Sequence, residues 1–437
     1  MNILPKTFLS IILFVIVLPK VSFAEISLSG DMIHHSSVLT DKGLNEKYRS
    51  GSFIKSVSRL QLKFDRNDED NFSLHGEFWA MENHLDDPEI VLAASEGENN
   101  SDVLLREAYI SGRFGALEFN IGKMILNWGR ADYINPVDIV NPEDFSEFYT
   151  LEKMEIKIPV LLFNGRFFYN NFTFDIVWIP FFENSIFPTS GPWTPKEICG
   201  IGQFMAGNPY RIDLGVKKNA DQLNTDHSEI AFRATTITDF IDFGFVYFSG
   251  YNDQGGIKLS VDDKSTILFE SVYHRYNGIG CDFAIMLKGY GIRGEFFYRD
   301  EIPQPVISKL GLQNVLTSDF QGIIGVDKSY GDNLYINCQY IYKKINDYNS
   351  QMIAEEDESI LTFLIENKFY YEQLKTAAKV FYGTEKSDIV FNPFCEYLMT
   401  DNFKAELGAY IFDGSKETFF GQYDLNDHVY MRLEYAF

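Results

Sequence analysis

The sequence predicts an all-β fold, a transmembrane antiparallel β-barrel of about eighteen strands, or sixteen if the two weakest patterns are dropped. Three observations predict it. Apolar and polar residues alternate through segments of about ten residues, roughly twice the globular strand average and long enough for a tilted strand to cross a bilayer. The connections between segments alternate short and long. After the leader, the chain of 437 residues offers no continuous apolar helix-length stretch, so the crossing elements must be strands.

The first element is an address rather than structure. Lys6, an apolar run from Phe8 to Leu18 broken only by Ser10, Pro19-Lys20, and the small residues Ser22 and Ala24 read as a secretory signal peptide over 1–24. A membrane anchor would need about 20 apolar residues. Residues 25–437 then form one barrel with no further domain boundary.

The strands follow in order near 26–34, 54–64, 72–82, 104–112, 117–124, 154–162, 172–180, 228–236, 240–250, 279–288, 291–299, 319–328, 333–344, 359–368, 374–384, 388–398, 403–412 and 428–437. The first and sixth carry the weak patterns. The last is the clearest: Val429, Met431, Leu433, Tyr435 and Phe437 alternate with His428, Tyr430, Arg432, Glu434 and Ala436. Phe403 to Ile411, Ile279 to Leu287, Leu334 to Tyr342 and Phe72 to Ala80 repeat that rhythm. Each such strand has one apolar and one polar face. A β-sandwich would also alternate, but with shorter strands and no reason to sort its loops by length.

Short turns follow the even strands. Long connections, notably 83–103, 125–153, 181–227, 251–278, 300–318 and 413–427, follow most odd ones. Thr266 to Tyr276 resembles a strand but is assigned to a long loop, because counting it would reverse every later loop.

Composition narrows the function. With 62 Asp and Glu against 38 Lys and Arg the formal charge is −24, and no basic face for nucleic acid is expected. Cys199, Cys281, Cys338 and Cys395 form no C-x-x-C, so neither a zinc ribbon nor a redox pair is indicated. Cys281 and Cys338 fall on the apolar parity and read as free, lipid-facing thiols. The polar parity carries Arg59, Lys63, Arg233, Lys288, Arg293, Arg299, Lys343, Lys375, Lys379, Lys404 and Arg432 with Glu77, Glu118, Asp242, Asp282, Glu295, Glu366, Glu406 and Glu434. Such a mixed wall implies lumen charges, most of them in cross-strand ion pairs. Trp178, Tyr430 and Tyr435 read as aromatic girdle. No G-x-S-x-G or H-E-x-x-H accompanies the seven histidines. No catalytic residue, cofactor or dedicated metal site is therefore expected.

One stretch stands apart: Arg106-Glu107-Ala108-Tyr109, Gly122-Lys123, Trp128-Gly129-Arg130-Ala131-Asp132, then Asn135-Pro136-Val137-Asp138 and Asn141-Pro142-Glu143-Asp144. The prolines fix φ, and Asp138 and Asp144 are placed to accept backbone N–H bonds as caps or Asx-turns. With this stretch, the leader and the terminal Phe437, the sequence resembles Gram-negative outer-membrane porins, specifically large porin-like barrels with a W-G-R-x-D … N-P-x-D loop.

The resemblance implies a bacterial outer-membrane location and passive diffusion of small hydrophilic or amphipathic solutes. It implies lipid and lipopolysaccharide contacts, and a Phe437 signal read by the barrel-assembly machinery. It implies a loop 125–153 folded into the pore, the alternative being an external loop rigidified by its prolines; the constriction candidates are then the loop residues Arg130, Asp132, Asp138 and Asp144 with Arg293, Glu295, Lys379 and Arg432 of the polar parity. Loop 181–227 is a candidate cap, and the oligomeric state stays open. The rival readings are a non-conducting barrel for adhesion and, behind it, an outer-membrane hydrolase.

Overall fold

The computed structural model describes residues 26–40, 48–67, 71–85, 101–132, 134–148, 153–188, 191–196, 212–213, 225–261, 267–308 and 311–437. The leader over 1–24, Cys199 and most of the acidic stretch between Glu82 and Asp102 lie outside these residues.

The strands are β1 (Ile26–Leu39), β2 (Phe53–Asn67), β3 (Phe72–Asn83), β4 (Ser101–Phe114), β5 (Leu117–Met124), β6 (Val160–Tyr169), β7 (Phe172–Ile179), β8 (Ile212–Asp213), β9 (Glu229–Ile237), β10 (Ile241–Tyr251), β11 (Gly256–Val261), β12 (Ile267–Val272), β13 (Arg275–Leu287), β14 (Tyr290–Ser308), β15 (Gly311–Tyr330), β16 (Leu334–Ile345), β17 (Asp357–Phe369), β18 (Leu374–Gly383), β19 (Ile389–Thr400), β20 (Phe403–Asp413) and β21 (His428–Ala436). Eighteen of them make one antiparallel sheet, while β8, β11 and β12 form a small separate one. The large sheet closes because β1 pairs with β2 on one side and β21 on the other. Closure removes the free edge that an open sheet would present. At the seam Gly30 and Phe437 exchange backbone hydrogen bonds of 3.0 and 2.9 Å. A Cβ on Gly30 would lie 2.8 Å from the Phe437 ring, so the seam needs a residue without a side chain.

The two faces differ as the alternation predicts. Along β21, His428 and Tyr430 are 2% and 5% exposed, whereas Val429 and Met431 are 43% and 41% exposed. The outer face is a belt of exposed apolar side chains such as Ile121, Phe163, Ile279, Ile324, Phe363 and Leu407. The inner face carries Asn164, Asp282, Glu295, Asn337, Gln339 and Thr362, all nearly inaccessible. These side chains are therefore covered by other protein groups. Cys281 and Cys338 are free and half-buried on the outer parity.

At one end the connections are tight. Lys288 and Gly289 join β13 to β14 with φ of 52 and 79°, the left-handed pair that a two-residue hairpin requires. This places Lys288 in a turn, not on the lumen wall where its parity had assigned it.

Other corrections follow from packing. The strand expected over 154–162 starts at Val160, because Lys153–Ile156 form a helical turn and Lys157 is buried; Ile156, Ile158 and Val160 imitate strand alternation just before it begins. The loop expected over 300–318 is a continuation of the β14–β15 hairpin, paired from Ile302↔Thr317 to Ser308↔Gly311 after a register shift. Pro303 and Pro305 marked it as a break, but β14 has lost its β13 partner after Arg299, and a strand tolerates proline at such an edge. Tyr430 is not girdle material: it points inward and donates to Glu406 at 2.7 Å. Of the segment Thr266 to Tyr276, Ile267–Val272 form β12 outside the ring, paired to β11, while Arg275 and Tyr276 begin ring strand β13.

Candidate functional site

β5 ends at Met124, and the chain returns to the wall only at Val160. The intervening loop is held by its own polar side chains. Asn141 accepts from the Leu126 N–H at 2.8 Å and donates to the carbonyls of Met124 and Ile158 at 3.1 and 3.0 Å, which ties the two limbs together. Asp138 accepts from the Trp128 N–H at 3.1 Å and pairs with Lys157 at 2.5 Å; Lys157 also donates to the Leu126 carbonyl. Asp144 accepts from the Ser146 N–H at 2.9 Å, while its own N–H reaches the Ile156 carbonyl. Beneath this frame Trp128, Val137 and Val140 pack on Val160, Leu162, Val177, Ala231, Val246 and Phe297. Apolar residues on an otherwise polar inner face are thus explained: they receive the loop.

The loop also engages the wall through charge. Glu295 on β14 accepts from the N–H groups of Arg130 and Ala131, and more weakly from Val137 at 3.4 Å. Gly129 sits at φ +88, and a Cβ there would come within 2.5 Å of Glu295, so this close approach needs glycine. Arg130 Nε donates to Asp282 at 2.7 Å and its Nη1 lies 3.5 Å from Asp242, while Arg233 takes the other Asp282 oxygen at 2.8 Å. Asp132 accepts from Arg293 at 3.2 Å, Asn337 at 2.8 Å and Gln339 at 2.6 Å. Arg293 reaches Asp327 at 3.1 Å as well.

The other limb is pinned to different strands. Glu155 pairs with Arg59 on β2 and with Arg432 on β21 at 3.1 Å, and Glu147 pairs with Lys55. Burial opposes ionisation of Glu155, but Arg59, Arg432 and Lys55 hold its carboxyl well below the usual range. Arg106 on β4 donates to the carbonyls of Met154, Glu155 and Lys157. Loop 125–159 thereby touches inward side chains of β2, β4, β10, β13, β14, β16 and β21.

Of the residues singled out from sequence, Arg130, Asp132, Asp138 and Asp144 lie on this loop, and Glu295, Arg293 and Arg432 meet it or its partners. Lys379 stands on β18 with its ammonium 5.1 Å from the Phe394 ring, beside the Lys375–Glu396 pair of 3.3 Å. Phe437 lies at the seam. Sequence reasoning missed Glu155, Lys157, Glu147 and Lys55. The one available signal was Lys157, a lone cation inside the run Ile156 to Leu162.

Residues 29–331 match the model of a family described as "Protein of unknown function (DUF1302)". No curated protein matches the sequence. Among solved structures, OccAB2 of Acinetobacter baumannii is 9% identical, with a TM-score of 0.55 over 96% of this chain and 99% of that one. OccAB3 of the same organism is 10% identical, with a TM-score of 0.54 over 95% and 100%. OccK9 (OpdG) of Pseudomonas aeruginosa is 8% identical, with a TM-score of 0.54 over 94% and 97%. At such identities the likeness is one of fold. The matched span of the family model covers more than half of the sequence, and the chain therefore belongs to the DUF1302 family.

Proposed function

We propose that this barrel is a bacterial outer-membrane channel for passive diffusion of small hydrophilic or amphipathic solutes, and that loop 125–159 forms its constriction. The observation that carries the reading is the closed ring with an apolar exterior, crossed inside by a charged loop pinned to seven strands. An exposed apolar belt of that extent has a hydrocarbon partner. The short turns face the periplasm and the long loops the exterior, after removal of residues 1–24. Solutes pass Arg130, Asp132 and Arg293 on one wall and Arg59 and Arg432 on the other, so both charge signs are offered at the narrowest level. Trp193 packs against Phe148, Tyr423 and His428, which supports a partial cap contributed by residues 191–196; most of the expected cap 181–227 lies outside the described residues. No catalytic role or cofactor belongs to this reading. Phe437 serves as the assembly signal, and the outer belt meets lipid and lipopolysaccharide. Refolded protein in planar bilayers tests it: discrete, solute-blockable conductance is expected. Silent bilayers containing folded barrel would refute it and favour a surface-binding role.

A further inference from the structure

We propose that His75, Glu77 and Glu107 form a binding site for one divalent transition-metal ion on the inner wall, at the root of loop 125–159. The metal-ligating atoms of the three residues all lie within 4.8 Å of one another. Glu77 on β3 stands directly opposite Glu107 on β4, and the register shifts next to them. That bulge turns both Arg106 and Glu107 to the inside, which strict alternation would not do.

The surroundings are arranged as a metal's outer shell is. His75 Nδ1 is 2.6 Å from Asp65 Oδ1, so a proton held there fixes the tautomer and leaves the Nε2 lone pair for a ligand. His75 Nε2 is 3.9 Å from Glu107 Oε2, too far for a hydrogen bond and suited to two ligands sharing one ion at about 2.0–2.2 Å each. Glu77 Oε1 accepts from Gln61 at 2.8 Å and Trp79 at 2.6 Å, and Glu107 Oε1 accepts from the Ile125 N–H at 2.6 Å. Each carboxylate thus spends one oxygen on orientation and keeps Oε2 for the ion. Two carboxylates directly opposed on adjacent strands repel, and Glu77 is only 7% exposed. Lys63 stands opposite Glu77 on β2, and Arg59 and Arg106 both lie over the Trp79 ring, Arg106 within electrostatic reach of both carboxylates while it donates to loop carbonyls; these cations offset part of the repulsion, and an ion bound between the carboxylates would offset the rest. One imidazole nitrogen with two carboxylate oxygens selects Zn²⁺ and its first-row neighbours over Mg²⁺ or Ca²⁺, which take oxygen ligands.

The test does not require the barrel to conduct. Calorimetric titration of refolded, detergent-solubilised protein with Zn²⁺, in excess Mg²⁺, should show one saturable equivalent. His75→Gln and Glu107→Gln should each abolish it, Asp65→Asn should weaken it about 10–100-fold, and His227→Ala should leave it unchanged. Glu107→Gln retains an acceptor for the Ile125 N–H, so its folding is expected to survive. Absence of saturable binding, displacement by Mg²⁺, or binding that persists in both ligand variants would overturn the assignment. X-ray absorption of the Zn²⁺-loaded wild-type protein gives a check free of mutants: one histidine nitrogen is expected, and none or several would overturn it.

Discussion

Replacing Glu295 by alanine is the sharpest perturbation of the loop, because one wall carboxylate holds the backbone of its tip. Its Oε1 accepts from the N–H groups of Arg130 and Ala131, and Oε2 from Val137 at 3.4 Å. Each buried donor left without its acceptor costs about 1–3 kcal/mol. The two close contacts together therefore set the loss at roughly 2–6 kcal/mol, a factor of ten or more in local opening even at the low end, since 1.4 kcal/mol is tenfold. The barrel itself should persist, because Glu295 contributes its backbone to the ladder opposite Asp282 and Ile323 whatever its side chain. Arg130 supplies a trypsin site within the segment released. In Glu295→Ala, cleavage after Arg130 in the folded, detergent-solubilised barrel should accelerate at least tenfold, and single-channel conductance should rise or become noisy. Wild-type cleavage rates together with wild-type conductance would refute the claim that this carboxylate anchors the tip.

Leu407 is 63% exposed on the outer face of β20; Leu407→Arg should cost roughly 2–4 kcal/mol near the bilayer midplane, whereas inward-facing Lys404→Ala should cost below about 1 kcal/mol, and equal tolerance in denaturant refolding would overturn the face assignment. Arg130→Ala combined with Asp132→Ala should shift the reversal potential in a salt gradient, and an unchanged value would remove these residues from the permeation path. Glu155 is held ionised by Arg59 and Arg432 with its carboxyl well below the usual range, so its stabilisation is complete above that range and fades only as pH falls through its own depressed value. Loop protection against trypsin should therefore be the same at pH 7 and pH 5, with Glu155→Gln weakened at both; acid release in the wild type that the variant lacks would contradict the assignment.

What the sequence makes legible follows from the bilayer. Lipid outside and polar contacts inside impose a strict two-residue period, so strands such as Phe403 to Ile411 and His428 to Phe437 declare both their existence and their orientation. Hydrogen-bond closure imposes the even count. Legibility fails where the polymer leaves that environment. Beyond the belt β14 and β15 run on as a hairpin through Pro303 and Pro305, because no lipid forces an edge strand to end there. Just before β6, Ile156 and Ile158 mimic alternation while belonging to the loop.

The loop site was half legible for a related reason. Local signals, the Asn-Pro steps and the capping Asp138 and Asp144, mark an ordered segment, since each acts within a few residues of itself. The partners that fix where the segment goes are distant in sequence: Arg130 to Asp282, Asp132 to Gln339, Glu155 to Arg432. Parity lists every one of those wall residues as inward but cannot rank them, because around the ring a charged inward residue meets either its cross-strand neighbour or whatever occupies the lumen. Lys375 and Lys404 take the first course, both reaching Glu396, and Asp282 and Glu295 take the second. Burial alone does not separate the two: Asp319, with no exposure, is satisfied by its cross-strand neighbour Arg299 through both oxygens, whereas Asp282 and Glu295 take donors from the loop.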